Sequence, residues 1–522
     1  MRPMLCRVVS AVLVPVLLLT GCAAPIQDRL HTPDQLKSKS LRRSEYLDLH
    51  LRDGSFVHLT GWSVDSPATT VRGLGTRRDP DRAVVASGMM AVPVDSIALV
   101  EATSTDDMPP VLRALTIVIV TVLALTAIAL LVFAIACAAD PKCFGSCPTF
   151  YVTDGHEPLL QAEGFSASIA PSLEVTDVDA LWRARPRGRT LEVTMRNEAL
   201  ETHVVRAVRV LAARRPAGGR VVAAADGSLW EAIAMIPPAH ARAAEGDVAS
   251  ELAAVDGSER TSEPDSSDLA TRETLELEFP ATPGPLALVL ASRQTLLTTY
   301  LFYETLAAMG PTAGRWLASL ERSDRTIVER SSAIARVIGG IEVQIGDGAG
   351  GWRTIETLDE TGPLAVDVKL IRLPAMAEGP VHVRLRAARG MYRIDAALLA
   401  RVGTRVEPVR LEPTQVLREG VPDARARRAL VCGAEPVVTG PGDDYTLRYR
   451  LPGEASRWEL FLESRGYYLE WMREPWMKGG DPARLTALLF DPQHALRDLA
   501  PAYAREHAGI EEWFWRNRYV HP

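Results

Sequence analysis

The sequence has few cysteines and no excess of positive charge. Six cysteines in 522 residues are too few for a small scaffold held together by disulfides, because such scaffolds are dense in paired cysteines. Acidic residues outnumber basic ones by 65 to 58, which gives a net charge of −7. A nucleic-acid-binding chain usually carries a basic footprint instead. We therefore expect no nucleic-acid partner.

The sequence also lacks the common motifs of catalysis. It contains no phosphate-binding P-loop and no Gly-x-Ser-x-Gly nucleophile elbow, and its ten histidines show no metal-ligand spacing. Residues 346–351 formally match the glycine pattern of a dinucleotide site. A strand-like run follows them where that site needs a helix, so a hairpin loop is predicted. We predict no catalytic residues, no metal site and no cofactor.

Length and composition favour several folded domains. At roughly 150 residues per domain the chain has room for about three. Apolar residues make up 47% and charged residues 24%, which is ordinary for globular proteins and excludes wholesale disorder. The predicted fold class is multidomain and mainly β with some α. It combines a small β domain, one transmembrane helix, a β-rich region with a β-sandwich, and an aromatic-rich α+β segment at the C-terminus.

The first 22 residues have the layout of an export signal. Arg2 and Arg7 precede an apolar run over residues 8–19, which is too short to span a membrane comfortably. Leu19-Thr20-Gly21-Cys22 then resembles the lipobox of bacterial lipoproteins. The resemblance implies a signal peptide over 1–21 and a lipid on Cys22, with membrane lipid as a partner. The alternative is an uncleaved signal anchor in which Cys22 is incidental.

A second hydrophobic run covers residues 114–139 without a charge. As a helix it would be about 39 Å long, more than the ~30 Å hydrocarbon core of a bilayer. It predicts a transmembrane helix, and with Cys22 it places the chain at the bacterial inner membrane. The charges that flank the run nearly balance, with Arg113 on one side and Asp140 and Lys142 on the other. The positive-inside rule therefore does not orient the helix. The order of the segments formally puts residues 140–522 in the cytoplasm. The side of the membrane on which these residues lie is left unresolved.

Turn residues and composition shifts divide the rest of the chain. Asp53-Gly54 between alternating apolar residues predicts a β-hairpin. The acidic, serine-rich stretch 245–273 has few aromatic residues and predicts a disordered insertion. The predicted segments are a tether over 22–44, a small β domain over 45–104, an α+β domain over 148–330, a β-sandwich over 339–411 and a C-terminal α+β domain over 430–522.

Cys143 and Cys147 lie four residues apart in the string Cys-Phe-Gly-Ser-Cys-Pro. Outside the cytoplasm they could form a small-loop disulfide. Inside, they would be a reduced pair, or part of a metal site that needs further ligands. The string is also similar to the motif of thioredoxin-like copper chaperones, but no strand precedes it here. With the lipobox and the hydrophobic run, it resembles a group of bacterial membrane lipoproteins without an assigned activity.

Half of the ten tryptophans fall in the final 65 residues, with arginines among them. One interpretation is a recognition surface, because Trp and Arg dominate binding hot spots and aromatic rings can stack on sugars. The other is an aromatic core with arginines on its rim. The candidate binding residues are Trp471, Trp476, Trp513, Arg465 and Arg473.

These features favour a non-enzymatic, membrane-anchored lipoprotein that binds or scaffolds a protein or glycan partner in the cell envelope. An envelope enzyme acting on a glycan or peptide is the first alternative. A redox or metal role for Cys143 and Cys147 is the second.

Overall fold

Short alternating runs of apolar and polar residues make this chain mainly β. In a computed structural model, strands account for 49% of the residues that the structure describes and helices for 22%. The structure describes residues 27–37, 41, 44, 46–65, 69–79, 84–104, 147–153, 157–165, 168–320, 337–346, 351–358, 362–375, 379–433, 435–477, 479–516 and 518. These residues fall into two compact units.

The first unit is a single antiparallel sheet with the strand order β1-β6-β2-β3-β4-β5. Leu47, Leu49 and Val57 lie in its buried core, as their alternation in sequence predicts. The strands are β1 (Gln27–His31), β2 (Tyr46–Leu51), β3 (Phe56–Val64), β4 (Thr70–Arg78), β5 (Val84–Pro93) and β6 (Ile97–Ser104).

The sheet begins inside the predicted tether. β1 pairs with β6, and Leu30 and Leu36 are buried, so residues 27–37 belong to the fold rather than to a polar linker. The two leucines supply apolar area that a tether would leave in water. The hairpin predicted at Asp53-Gly54 is confirmed. It joins β2 to β3, and Gly54 adopts a φ of +81° that favours glycine.

The second unit holds the remaining strands and most of the helices. Its first strands are β7 (Thr149–Thr153), β8 (Pro158–Glu163), β9 (Val175–Ala180), β10 (Thr190–Arg196), β11 (Glu201–Arg214), β12 (Gly219–Ala224), β13 (Leu229–Ile236), β14 (His240–Ala243), β15 (Gly246–Asp247), β16 (Arg260–Thr261), β17 (Arg272–Phe279) and β18 (Leu286–Gln294). The later strands are β19 (Ile341–Gly346), β20 (Trp352–Leu358), β21 (Asp367–Arg372), β22 (Val381–Ala388), β23 (Tyr392–Val406), β24 (Val409–Leu411), β25 (Gln415–Arg418), β26 (Val421–Pro422), β27 (Val437–Thr439), β28 (Asp444–Arg450) and β29 (Trp458–Glu470).

Most helices of the described chain follow β18 or lie near the C-terminus, and one lies between β26 and β27. They are α1 (Leu297–Met309), α2 (Ala313–Leu320), α3 (Ala424–Cys432), α4 (Glu474–Met477), α5 (Pro482–Phe490) and α6 (Pro492–Arg516). α1 ends at Gly310, where a φ of +59° breaks the helix as the Gly-Pro pair predicts.

Two sheets of the second unit pack face to face as a β-sandwich. One has the order β26-β25-β28-β10-β7-β8, and the other has the order β24-β11-β29-β9 with β27 on β11. Side chains from both sheets meet in one core, including Val193 from β10, Tyr449 from β28 and Leu462 from β29. Tyr449 also donates its buried hydroxyl to the carbonyl of Val208 at 2.9 Å. The sandwich is therefore built from two chain segments more than 200 residues apart.

The chain between these segments forms two further sheets. One has the order β13-β12-β21-β18-β23 and closes on itself through a β13–β23 pairing, with β16 added along β23. The other has the order β15-β14-β17-β22-β19-β20. The sandwich predicted over 339–411 is thus divided among three sheets. β19, β20 and β22 lie in one and β21 and β23 in another, both of which also hold strands from 219–294, and β24 lies in the sheet of β11 and β29. Likewise, β10 of the predicted 148–330 domain pairs with β28.

Residues 245–273, predicted to be a disordered insertion, are ordered. Arg260 is buried and pairs with Glu245 at 2.7 Å and Glu273 at 2.8 Å, so its charge offsets the local acidic excess. The aspartates serve as turn acceptors, as Asp256 does for the amide of Ser258 at 2.9 Å. Acidic and serine-rich composition therefore marks a chain of tight turns here.

The structure corrects the predicted fold class with respect to the transmembrane helix. Within the described residues, no helix is long and apolar enough to cross a membrane. The longest, α6, has 25 residues but carries charges such as Arg497, Asp498 and Glu511, which makes it unsuited to hydrocarbon. The segment predicted to span, 114–139, lies outside the described residues.

Candidate functional site

A cleft lined by both charged and apolar residues lies beside α6 in the second unit. Its volume is about 210 Å³. Four separate chain segments meet there: the end of β16, the start of α1, the turn into β23, and one face of α6. The lining residues are Thr261, Ser262, Glu263, Thr295, Leu296, Gly390, Arg393, Tyr503, His507, Ala508, Ile510 and Glu511.

α6 supplies one wall through residues spaced four apart. Tyr503, His507 and Glu511 share a face because four residues are close to one helical turn. The helix starts as the Asp491-Pro492 pair predicts, with the Asp491 carboxylate accepting from the amide of His494 at 3.3 Å. Pro501 lies inside α6, and the helix continues through it. This continuity brings the charged end of α6 to the cleft.

An ion-pair network holds Glu511 in place. Its two carboxylate oxygens lie 2.9 Å from Arg293 and 3.1 Å from Arg393. Arg293 also binds both oxygens of Glu259, at 2.6 and 2.7 Å, and donates to the carbonyl of Pro363 at 2.6 Å. Burial lowers the pKa of Arg293, but the bonds to Glu259 and Glu511 outweigh it, so the pKa is raised. The network is a charge-balanced clamp between α6 and the inserted sheets.

His507 forms a second pair at the cleft rim. Its Nε2 lies 2.8 Å from the Glu263 carboxylate, and its Nδ1 lies 3.0 Å from the carbonyl oxygen of Ala504. Both neighbours carry oxygens that can accept a hydrogen bond from the ring. The Glu263 carboxylate is largely exposed, so this pair is open to a ligand.

The hydroxyl groups of the cleft are engaged in bonds to the protein. Ser262 donates to Glu273 at 2.7 Å and accepts from the amide of Gly390 at 3.0 Å. Thr295 donates to the Gly390 carbonyl at 2.7 Å. Burial raises the pKa of Tyr503 to about 12, so its hydroxyl stays neutral. The cleft therefore presents fixed hydrogen-bonding groups and charges of both signs.

The cysteines predicted as functional lie mostly outside the described residues. Cys22, the predicted lipid site, and Cys143 are both outside. Cys147 is buried, and its sulfur donates to the Glu163 carboxylate at 2.8 Å. Glu163 also accepts from the amides of Leu364 and Ala365. A disulfide between Cys143 and Cys147 stays a prediction.

The predicted binding surface is not a set of exposed rings. Trp471 is 6% exposed and donates its indole to Thr202 at 3.0 Å, and Trp476 is 2% exposed and packs against Tyr303. Both belong to the core, which was the alternative interpretation. Trp513 is 61% exposed.

The two arginines of that predicted surface differ in setting. Arg465 is half-exposed and pairs with Glu174 at 2.6 Å, which gives it a structural role on β29. Arg473 is partly buried and falls in the segment grouped with the first unit. Neither residue lines the cleft beside α6.

Sequence reasoning missed the cleft because its walls come from four distant segments. The one available signal was the spacing of Tyr503, His507 and Glu511 within the predicted final helix. Within the described residues, no group of three or more His, Cys, Asp or Glu side chains could hold a metal ion. Comparison of the chain with protein-family models and with curated proteins gives no match.

Proposed function

We propose that this chain is a lipid-anchored binding protein that receives a charged group of a peptide partner in the cleft beside α6. The observation that carries the proposal is the cleft itself. It joins the Arg393–Glu511 ion pair and the hydrogen-bonded His507–Glu263 pair to hydroxyls that are already held by the protein. Such fixed donors and acceptors bind a polar group without having to reorganise.

The size of the cleft favours one group of a larger partner. A drug-sized ligand occupies a pocket of roughly 300–1,000 Å³, and this cleft measures about 210 Å³. A single side chain or a chain end fits such a volume. The rest of the partner would lie on the surface around the cleft.

The chemistry of the cleft favours a peptide over a glycan. Glycan recognition uses exposed aromatic faces, but Tyr503 is buried at the cleft and Trp471 and Trp476 lie in the core. Cationic and anionic groups side by side, as in Arg393 and Glu511, suit a peptide, which carries donors, acceptors and charges of both signs. A free carboxylate or a basic side chain could each find an opposite charge there.

The lipobox resemblance at Leu19-Thr20-Gly21-Cys22 supports the lipid anchor. A chain held at the membrane by Cys22 would present the cleft to partners in the cell envelope. One acyl chain binds membranes only marginally, whereas the diacylglycerol of a lipobox cysteine adds two.

Substituting the rim pair is expected to weaken peptide binding. The full chain in detergent micelles is applied to an array of pentapeptides that vary in charge and in having a free or amidated C-terminus. His507→Gln and Glu263→Gln each keep a hydrogen-bonding group but remove an ionisable one. We expect each to weaken the strongest interactions about 10-fold or more, because a bond to a charged group contributes about 1.5–3 kcal/mol.

Glu512→Gln is the matched control. Glu512 is next to Glu511 on α6 but pairs with Arg516 in solvent and does not line the cleft. Glu512→Gln should therefore bind the peptides of the array as strongly as the parent chain does. The proposal is wrong if no peptide binds the parent chain, or if the rim variants bind as the parent does.

Lipid attachment is expected to depend on Cys22 alone. Cells expressing the full chain are fed a radiolabelled fatty acid, and the Cys22→Ser variant should lose the label because serine has no sulfur for the thioether. The Cys432→Ser variant, which changes an exposed cysteine of the described chain, should keep it. Equal labelling of the parent chain and Cys22→Ser would rule out the anchor.

A further inference from the structure

The outer edge of the first unit has an unprotected strand. β5 is the terminal strand of its sheet, and it pairs only with β4 among the described strands. No other described strand pairs with its outer side, whose backbone N–H and C=O groups can accept another strand. Proteins usually protect such an edge with charge, proline, a bulge or shortness.

Most of β5 has none of these protections. The strand is ten residues long, and Val84–Pro93 contains no charged residue. A register shift occurs at its start, next to Val84, and Pro93 ends it. Between these two points, residues 86–92 pair with β4 without a further register shift, and Gly88 among them has a φ of +124°.

The exposed face of this edge is apolar. Met89 is 76% exposed and lies directly opposite Leu74 of β4, which is 55% exposed. Val85 is 55% exposed as well. A paired methionine and leucine open to water on an uncharged edge are unusual for a surface and mark an interaction site.

We propose that β5 pairs antiparallel with β5 of a second copy of this chain, centred on Met89. The pairing would extend the six-stranded sheet across a twofold axis. The two Met89 side chains would meet, and each would continue to its own Leu74, so that four apolar side chains form one row across the interface.

A second copy fits this edge because symmetric pairing sets each residue against one of the same strand. Any charge in β5 would then lie near its own copy and repel it, and residues 84–93 carry none. A lipid surface could cover Met89 and Leu74, but it could not satisfy the backbone groups of the edge. A strand satisfies both requirements. The pairing is independent of the cleft beside α6.

A cysteine at the centre of the strand tests the proposed register. The full chain carrying Cys432→Ser is compared in detergent micelles with and without Met89→Cys. Directly opposed residues of antiparallel strands have Cα atoms about 4.5–5.5 Å apart, which suits a disulfide. Mild oxidation should therefore link Met89→Cys into a covalent dimer. Thr60→Cys, exposed on the same face of β3, lies two strands further from the axis and should not link.

A charge at the same position tests the association without a cross-link. Met89→Lys sets two like charges against each other at the axis and should raise the dimer dissociation constant at least about 10-fold by analytical ultracentrifugation. Thr60→Lys should leave it unchanged. Circular dichroism should show both variants folded, since both sites are exposed.

Three results would overturn the proposal. One is a parent chain that stays monomeric at tens of micromolar. Another is a dimer that Met89→Lys does not weaken. The third is equal cross-linking at positions 60 and 89. A monomer in which Met89→Lys only reduces binding to vesicles would assign this face to lipid instead.

Discussion

Arg293→Leu is expected to lower the stability of the α6 region by about 3 kcal/mol, because it takes the buried cation away from two partly buried carboxylates. Arg293 is 9% exposed and binds Glu259, Glu511 and the Pro363 carbonyl at 2.6–2.9 Å. Native-state amide hydrogen exchange of residues 492–516 measures the effect, since it reports the local opening free energy of α6. The opening free energy of α6 in Arg293→Lys should lie between those of the parent chain and Arg293→Leu, because a lysine keeps the charge but loses the bidentate geometry of arginine.

Arg516→Leu is the control for Arg293→Leu. Arg516 pairs with Glu512 on the exposed side of the same helix, where an ion pair contributes less than about 1 kcal/mol. Exchange of α6 should change little in this variant. Equal effects of Arg293→Leu and Arg516→Leu would contradict a buried clamp.

Acid is expected to destabilise the sandwich through His203. The ring is fully buried on β11, and burial lowers its pKa to about 3. The unfolded chain takes up a proton near pH 6.5, whereas the folded chain does so only at much lower pH. The stabilisation is therefore present above pH 6.5 and is lost as pH falls toward 3, by about 2 kcal/mol between pH 6.5 and 5. Hydrogen exchange of β11, corrected for intrinsic rates, should show this loss.

His203→Gln should remove most of that pH dependence. Glutamine keeps a donor near the Glu201 oxygen, which lies 3.2 Å from Nε2, but it does not titrate. His240→Gln, on an exposed turn, should leave the slope unchanged. A parent chain with no loss between pH 6.5 and 5 would mean that Glu201 holds the ring as a buried imidazolium.

Local features of this fold were predictable from sequence, and its long-range pairings were not. The Asp53-Gly54 hairpin, the end of α1 at Gly310 and the start of α6 at Asp491 each follow from a few neighbouring residues. Strand periodicity says which face of β10 is buried, but nothing in it names β28 as the partner about 250 residues later. The pairing of distant segments in the sandwich therefore could not be predicted from the sequence.

One failed expectation and one choice between open interpretations have the same origin. Residues 245–273 look disordered by composition, but buried Arg260 neutralises two of their neighbouring acids. Trp471 and Trp476 look like recognition residues by type, but the fold buries them. In both cases residue type was read without its tertiary partners. The cleft beside α6 was missed for the same reason, since only its α6 wall is local in sequence.

The most direct test of the central claim locates bound peptide on the chain. Hydrogen exchange of the full chain in micelles is compared with and without the strongest peptide from the array. A peptide in the cleft should slow exchange at residues 261–263, 390–393 and 503–511, and His507→Gln should abolish that protection. Slower exchange confined to other segments, with these three unchanged, would contradict the cleft as the binding site.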